Sequence, residues 1–290
     1  MADLPFDLQR TPWNNLYNFW LQFKAWRLSK KEVSGDRRAN PPKDYELVFD
    51  DSFKEDSLNM DKWRYAQPWG FFHPNSLWQY WTKDATFMSG ESLILENKYL
   101  PKTIYKKDLP QWQQKPELPD EFTIPWAAGL ISSKESFTYG WIEAEIKLPV
   151  EKMQWSAFWL SGTNSWPPEI DIFEAYTTQD VNDIAMRPNI HWGTGDTWQE
   201  GKKDYGAPRI FVKSPEERFV QYAIHWTDKF IKFYFDGQLV QVANNKTMLK
   251  ENGKDQFIIL NNGLKEPDGD KQPTEGRMEI RNLKVYQKKS

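Results

Sequence analysis

Three carboxylates fall within six residues in the segment Trp166-Pro167-Pro168-Glu169-Ile170-Asp171-Ile172-Phe173-Glu174. Successive side chains of an extended strand point to opposite faces, so Glu169 and Asp171 share one face while Ile170 and Ile172 share the other. Glu174 lies five residues beyond Glu169. In a regular strand it would therefore enter the apolar side, where an unpartnered carboxylate is costly. A β-bulge at Ile172–Phe173 resolves the conflict, because one extra residue resets the parity and returns Glu174 to the acidic face. Carboxylates crowded on one face push their pKa values apart, so that one stays ionised while another holds a proton. Cleavage of a glycosidic bond needs such a pair. A solvated acidic strand or a calcium-binding one fits these residues equally well.

Short strands must hold these acids. YELVF (45–49), WQYWT (78–82), SLILEN (92–97), WIEAEIKL (141–148), EIDIFEAY (169–176), FVQYAIHW (219–226), FIKFYF (230–235), QFIILN (256–261) and MEIRNLKVY (278–286) all alternate β-branched or aromatic residues with polar ones. Asp236-Gly237, between FIKFYF and QLVQV, is a two-residue hairpin signal. No strand–helix alternation and no internal repeat interrupts the series. The fold class is therefore all-β, an antiparallel sandwich or barrel. The stretch from Tyr99 to Pro119 is basic and proline-rich, with Lys102, Lys106, Lys107 and Lys115 among Pro101, Pro110 and Pro116, and reads as a surface loop.

Residues 1–43 form a separate N-terminal extension. Thr11-Pro12 is a helix-start signal, and Leu16, Trp20, Phe23 and Trp26 recur at helical spacing, which predicts one amphipathic helix ending near Lys30. It packs on the surface of the main domain, or else binds a partner or a membrane surface. Asp3, Asp7 and Arg10 interrupt any apolar run there, so no secretory signal is visible.

The whole-chain composition narrows the function. The net charge of −3 argues against a nucleic-acid partner, and no apolar run reaches the length of a membrane span. With no Cys, thiol nucleophiles and thiolate metal sites are excluded. The three His, His73, His191 and His225, show no metal-ligand spacing. Sixteen Trp in 290 residues suit either a core of large rings or a cleft whose ring faces stack on sugars.

The acidic segment resembles the ExDxxE signature of glycoside hydrolase family 16, the laminarinase-like jelly rolls. Further stretches resemble the same family in the same order: Phe137 to Pro149, Trp155 to Leu160, Gln221 to Thr227, Lys232 to Gly237 and Met278 to Gln287. Together they span roughly Tyr45 to Gln287. The resemblance implies a β-sandwich jelly roll of two curved antiparallel sheets over residues 44–290. It implies Glu169 as nucleophile, Glu174 as general acid/base and Asp171 as the assisting carboxylate between them, with no cofactor or metal required for hydrolysis.

Strand parity extends the site. With Ile170 and Ile172 on the core side, Phe158 and Leu160 are core residues of the preceding strand, and Trp155 and Trp159 face the cleft as sugar platforms. Asn189 and His191 alternate with Ile190 and Trp192, which puts the polar pair on the cleft; a purely structural His191 is the alternative. Trp78 and Trp81 resemble the family's strand on the non-reducing side of the cleft, where Leu77 replaces the usual Glu. Trp141 completes the expected sugar-contacting set. Arg281 stands where many relatives place the Asp of a structural calcium site, which argues against that site here. Leu260-Asn261-Asn262-Gly263-Leu264 departs from the family pattern in a loop beside the cleft.

The expected function is an endo-acting retaining hydrolase of internal β-linkages, with a β-1,3-glucan as the leading substrate. A β-galactan of agar, carrageenan, porphyran or mucin type is second, and a non-catalytic glucan-binding lectin on the same fold is the rival of another class. Transglycosylation by the same chemistry stays open. The expected setting is a monomer acting in an extracellular or periplasmic compartment.

Overall fold

The computed structural model describes residues 35–71, 77–109, 111, 114–177, 184–193, 202–204, 210–212, 216–266 and 272–289, with Trp20, Phe23 and Arg27. Trp20, Phe23 and Arg27 are helical and exposed, and the rest of the expected N-terminal helix lies outside the described residues, as does His73. No described helix is long and apolar enough to cross a membrane.

The chain folds as two curved antiparallel layers. In the concave layer, β2 (Trp63–Arg64), β6 (Glu121–Phe137), β16 (Gln256–Leu264), β8 (Gln154–Gly162), β9 (Glu169–Thr177) and β10 (Ile184–Gly193) lie in that order. β11 (Lys202–Asp204) and β12 (Ile210–Val212) close its edge on β10. The convex layer runs β15 (Gln238–Ala243), β14 (Ile231–Phe235), β13 (Val220–Trp226), β7 (Gly140–Lys147) and β17 (Gly276–Lys288). One half of β17 also pairs with β5 (Ser92–Tyr105), which carries β4 (Thr86–Ser89), and the other half pairs with β1 (Tyr45–Asp51). The first half of β6 pairs with β5 and with the parallel β3 (Gln79–Trp81); its second half belongs to the concave layer. This single strand joins the two layers.

Each expected strand is present, and the alternation explains why. Ile142, Ile146, Tyr222, Ile224 and Phe233 from the convex layer meet Phe158, Leu160, Ile170, Phe173, Ile258 and Leu260 from the concave layer in one buried core. Burying such side chains stabilises the fold by about 1.5–3 kcal/mol each. At the β14–β15 turn, Asp236 (φ 46°) and Gly237 (φ 70°) both take the left-handed backbone of a type I′ hairpin.

Three elements differ from expectation. β6 is the longest strand, yet Pro125 and Gly129 disguise it in the sequence. Gly129 is required there, because a Cβ would come within 2.4 Å of the Ala85 carbonyl oxygen. The segment read as a loop from Tyr99 is instead the second half of β5 as far as Tyr105, paired with β6 so that Tyr105 faces Glu121. Pro101 sits at a register shift between Tyr99 and Lys102, where a strand tolerates a missing N–H. Helix α1 (Lys246–Asn252) was also unforeseen; Asn245 caps it, its side chain accepting from the Thr247 and Met248 N–H groups.

The end of the N-terminal extension is bound to the sandwich. Ala39 exchanges two hydrogen bonds with the Gln221 side chain, at 2.7 and 2.9 Å, and Arg38 pairs with Glu145 at 2.8 Å.

Candidate active site

Bulged β9 builds the site. Against β8 the register reads Phe158 to Phe173 and then Trp159 to Asp171, so Ile172 is the extra residue. β10 shows the matching shift between Arg187 and Asn189. As a result Ile172 and Phe173 are consecutive yet both buried in the core, at 1% and 0% exposure. Glu174 returns to the face that carries Glu169 and Asp171, and all three line one pocket on the concave face with Gln67, Gln79, Trp81, Trp155, Ala157, Trp159 and Asn261. A rigid lead-in fixes the start of the strand: the loop after β8 ends at Pro167-Pro168, whose last carbonyl accepts from the Gly162 N–H at 2.9 Å.

Each glutamate is oriented by neutral donors. The Trp166 indole N–H donates to Glu169 Oε2 at 2.7 Å. Tyr176 O–H and Trp155 N–H both donate to Glu174 Oε1, at 2.7 and 3.1 Å, and leave its other oxygen free of those bonds. Burial pushes the Glu174 carboxyl above the ordinary carboxylate range, and the nearby Glu169 charge adds to that shift; the Tyr176 and Trp155 bonds and the nearby His191 oppose it. Burial, reinforced by Glu174, pushes the Tyr176 hydroxyl far up as well, which keeps it a donor. Asp171 is buried, and His191 Nε2 lies 3.2 Å from Glu169 Oε1 and 3.5 Å from Asp171 Oδ2. Asn189 Nδ2 lies 3.1 Å from that same nitrogen. With a proton on Nε2 the ring donates to a carboxylate; without one, that nitrogen accepts from the Asn189 amide.

The remaining expected residues divide. Trp155 lines the pocket and stacks on Tyr176 with centroids 5.7 Å apart. Trp159 shares the acid face, but only 9% of it is exposed; it packs with Trp81, Leu130 and Ile259 and donates to Asn261 Oδ1 at 2.8 Å. Its ring is part of the pocket floor more than an open platform. Trp81 lies in that same cluster, whereas Trp78 is outside the pocket lining and donates to the Leu264 carbonyl at 3.2 Å. Trp141 requires correction. It lies on β7 in the convex layer, buried against Tyr234 and bonded to Glu143, on the far side of the sandwich. Neighbouring Ile142 faces the core, so parity turns Trp141 outward.

Sequence reasoning missed Trp166 and Tyr176, although their offsets of three and two residues from the two glutamates were a readable signal. It also missed Gln67 and Gln79, which only the fold brings in. The histidines showed no metal spacing in sequence, yet Glu169, Asp171 and His191 bring ligand atoms within 4.8 Å of one another.

Comparison with known proteins settles the lineage. The sequence profile of glycosyl hydrolases family 16 matches residues 76–280, more than half of the chain. The chain belongs to that family. Endo-1,3-1,4-beta-glycanase EglC of Rhizobium meliloti (strain 1021) is 28% identical over 163 residues, 55% of this chain and 32% of the relative, so the chain spans about a third of that relative's length. The beta-glucanase of Rhodothermus marinus is 28% identical over 71% of this chain and 68% of its own. The laminarinase catalytic domain of Thermotoga maritima MSB8, solved with cetyltrimethylammonium bromide, superposes with a TM-score of 0.64 at 21% identity, covering 86% of this chain and all of that one (100%). The family 16 sandwich is therefore the fold.

Proposed function

We propose that residues 44–290 are the catalytic domain of an endo-acting retaining glycoside hydrolase that cuts internal β-linkages of a polysaccharide, with a β-1,3-glucan as the first substrate. One observation carries the reading: the bulge that returns Glu174 to the face of Glu169 and Asp171, so that all three line a single pocket. Glu174, whose protonated form burial favours, gives its proton to the glycosidic oxygen as that bond to the anomeric carbon breaks. Glu169 attacks the same carbon and forms a glycosyl ester, a step suited to carboxyls about 5–5.5 Å apart. The aglycone leaves. Glu174, now a carboxylate, takes a proton from water, the oxygen attacks the anomeric carbon, and Glu169 departs. Asp171, His191 and Asn189 hold the nucleophile in place, while Trp166 fixes its second oxygen. Trp155 offers ring surface to the sugar, with Trp159 and Trp81 forming the floor beneath it.

Hydrolysis by this route needs no metal. A structural calcium does not fit at Arg281 either. Its Nε donates to Glu145 Oε2 at 2.6 Å while Arg38 donates to Oε1 at 2.8 Å, so that carboxylate already holds two cations. The reading includes a monomer acting outside the cytoplasm, where polysaccharide is met. Retention of both glutamates favours catalysis over a lectin role.

Reducing-end release from laminarin, lichenan, agarose and carrageenan tests the proposal. Laminarin should yield a series of oligosaccharides. A folded protein that releases nothing from all four would contradict it.

A further inference from the structure

The basic segment that sequence reading set aside as a loop has a structural use. Continued as β5, it delivers Lys102 to the wall of a second cavity of about 760 Å³, within the usual range of ligand sites. Trp81 lines both this cavity and the pocket of the three acids, so the two adjoin. The second chamber has an aromatic lining that includes Tyr65, Tyr80 and Tyr105. Its charge is opposite to its neighbour's: Arg64, Lys83, Lys102 and Lys134 stand around it against the single acid Asp108. Arg64 is held by the Ser133 carbonyl at 2.7 Å, and Lys102 sits 5.3 Å over the Tyr80 ring. Lys83, Lys102 and Lys134 make no ion pair with any described residue. Three exposed lysines and one arginine thus gather their charge around one ring-lined cavity in a chain of net charge −3.

We propose that this cavity binds an anionic substituent, a sulfate or a carboxylate, carried by the glycan that threads the acid-lined pocket. The proposal rests on the glycan-hydrolase reading for what enters the cleft. Rings offer stacking faces to the sugar, while the cations meet the charge that the three carboxylates next door would repel. The acidic pocket and the basic chamber together then set the register of an anionic chain, admitting a neutral unit at the acids and a charged one beyond Trp81. A β-glycan that carries such a group then binds more tightly than the neutral β-1,3-glucan, which is still cut at the three acids.

Binding tests this apart from catalysis. Glu169→Gln protein, which leaves the probe uncut, is titrated calorimetrically with laminarin oligosaccharides, with the same oligosaccharides sulfated, and with a set oxidised to carboxylates at C6. At low salt one anionic set should bind at least about tenfold tighter than the neutral set, the sum of three weak exposed pairs. The preference should fade as salt approaches ~0.5 M. The same protein carrying Lys102→Glu and Lys134→Glu, both exposed positions, should lose or invert the preference with little change in melting temperature. Which anionic set gains identifies sulfate or carboxylate as the recognised group. Equal binding of all three sets, or a preference that survives the charge reversal, would overturn the proposal. Loss of hydrolysis on every glycan would sink the enzyme reading without touching this result.

Discussion

Glu145 and Glu174 are the same residue type on the two faces of one sandwich, and their surroundings drive them in opposite directions. Burial acts to raise both. At Glu145, on the convex face, hydrogen bonds and charge from Arg281 and Arg38 outweigh it and hold the carboxyl below the ordinary range. At Glu174 the bonds come from neutral Tyr176 and Trp155, a second carboxylate lies nearby, and the carboxyl stays above it. The first arrangement makes a lasting ion, suited to tying the N-terminal segment to the sheet. The second favours the protonated form, as the proposed acid role needs. Cationic partners thus favour the ionised form of a buried glutamate, while neutral donors leave the upward push of burial in place.

The largest effect expected from breaking this contrast falls on activity. Glu169→Gln should reduce kcat by at least about 10³-fold, as loss of a nucleophile does elsewhere, while Glu145→Gln should leave kcat within about twofold of the parent. Glu174→Ala should be inactive on natural glycans, but azide should restore turnover of an activated aryl glycoside, whose leaving group needs no acid. Steady-state rates on laminarin and on the aryl glycoside check both.

Next in size is the pocket floor. Trp159→Ala removes a ring that is 9% exposed and bonded to Asn261, and should cost about 3 kcal/mol of stability. Trp155→Ala, at a more open ring, should lower kcat/KM about tenfold with a smaller loss of melting temperature. Thermal denaturation beside kinetics separates the two. Equal melting losses would place Trp155 in the core.

Stability against pH gives a smaller, sign-dependent test. The Glu145 pKa is lowered on folding, so its contribution is present above the unfolded pKa and fades as pH falls through the folded one. Glu145→Gln should then cost about 1 kcal/mol at neutral pH, a value reduced for solvent screening, and little in acid. The Glu174 pKa is raised, so its contribution is present below the unfolded pKa and is lost as pH rises through the folded one. Glu174→Gln should therefore raise the melting temperature at neutral and alkaline pH and change it little in acid. Melting curves that move the same way for both variants would refute the contrast.

Smallest is the tuning by Tyr176. Its O–H bond favours the ionised form of Glu174, so Tyr176→Phe should raise that pKa and carry the basic limb of the kcat/KM profile to higher pH. A basic limb moved to lower pH would contradict the role given to that bond. Dialysis against EDTA should change neither activity nor melting temperature.

Alternation and turn chemistry made most of the sandwich legible, because a period of two survives in nearly every strand. The bulge could be read too, since Glu169 and Glu174, five positions apart, cannot share a face otherwise. β6 was hidden because Pro125 and Gly129 break its local pattern, and Gly129 serves a close approach to Ala85 and β5 that no local pattern reveals. Trp141 was misplaced because aromatic content alone does not tell a cleft from a convex face; only the pairing of β7 with β13 and β17 does. The chamber beyond Trp81 was invisible for the same reason: Arg64, Lys83, Lys102 and Lys134 are far apart in sequence, and only the β5–β6 pairing and the seating of β2 and β3 on β6 assemble them.

The central claim is that Glu169 and Glu174 act as nucleophile and acid on opposite sides of the anomeric carbon. Proton NMR of the first product released from laminarin tests it most directly. Double displacement predicts that the β anomer of the new reducing end appears first, with the α anomer growing only as mutarotation proceeds. An initial α anomer would mean a single inverting attack by water, and the roles assigned to the two glutamates would be wrong.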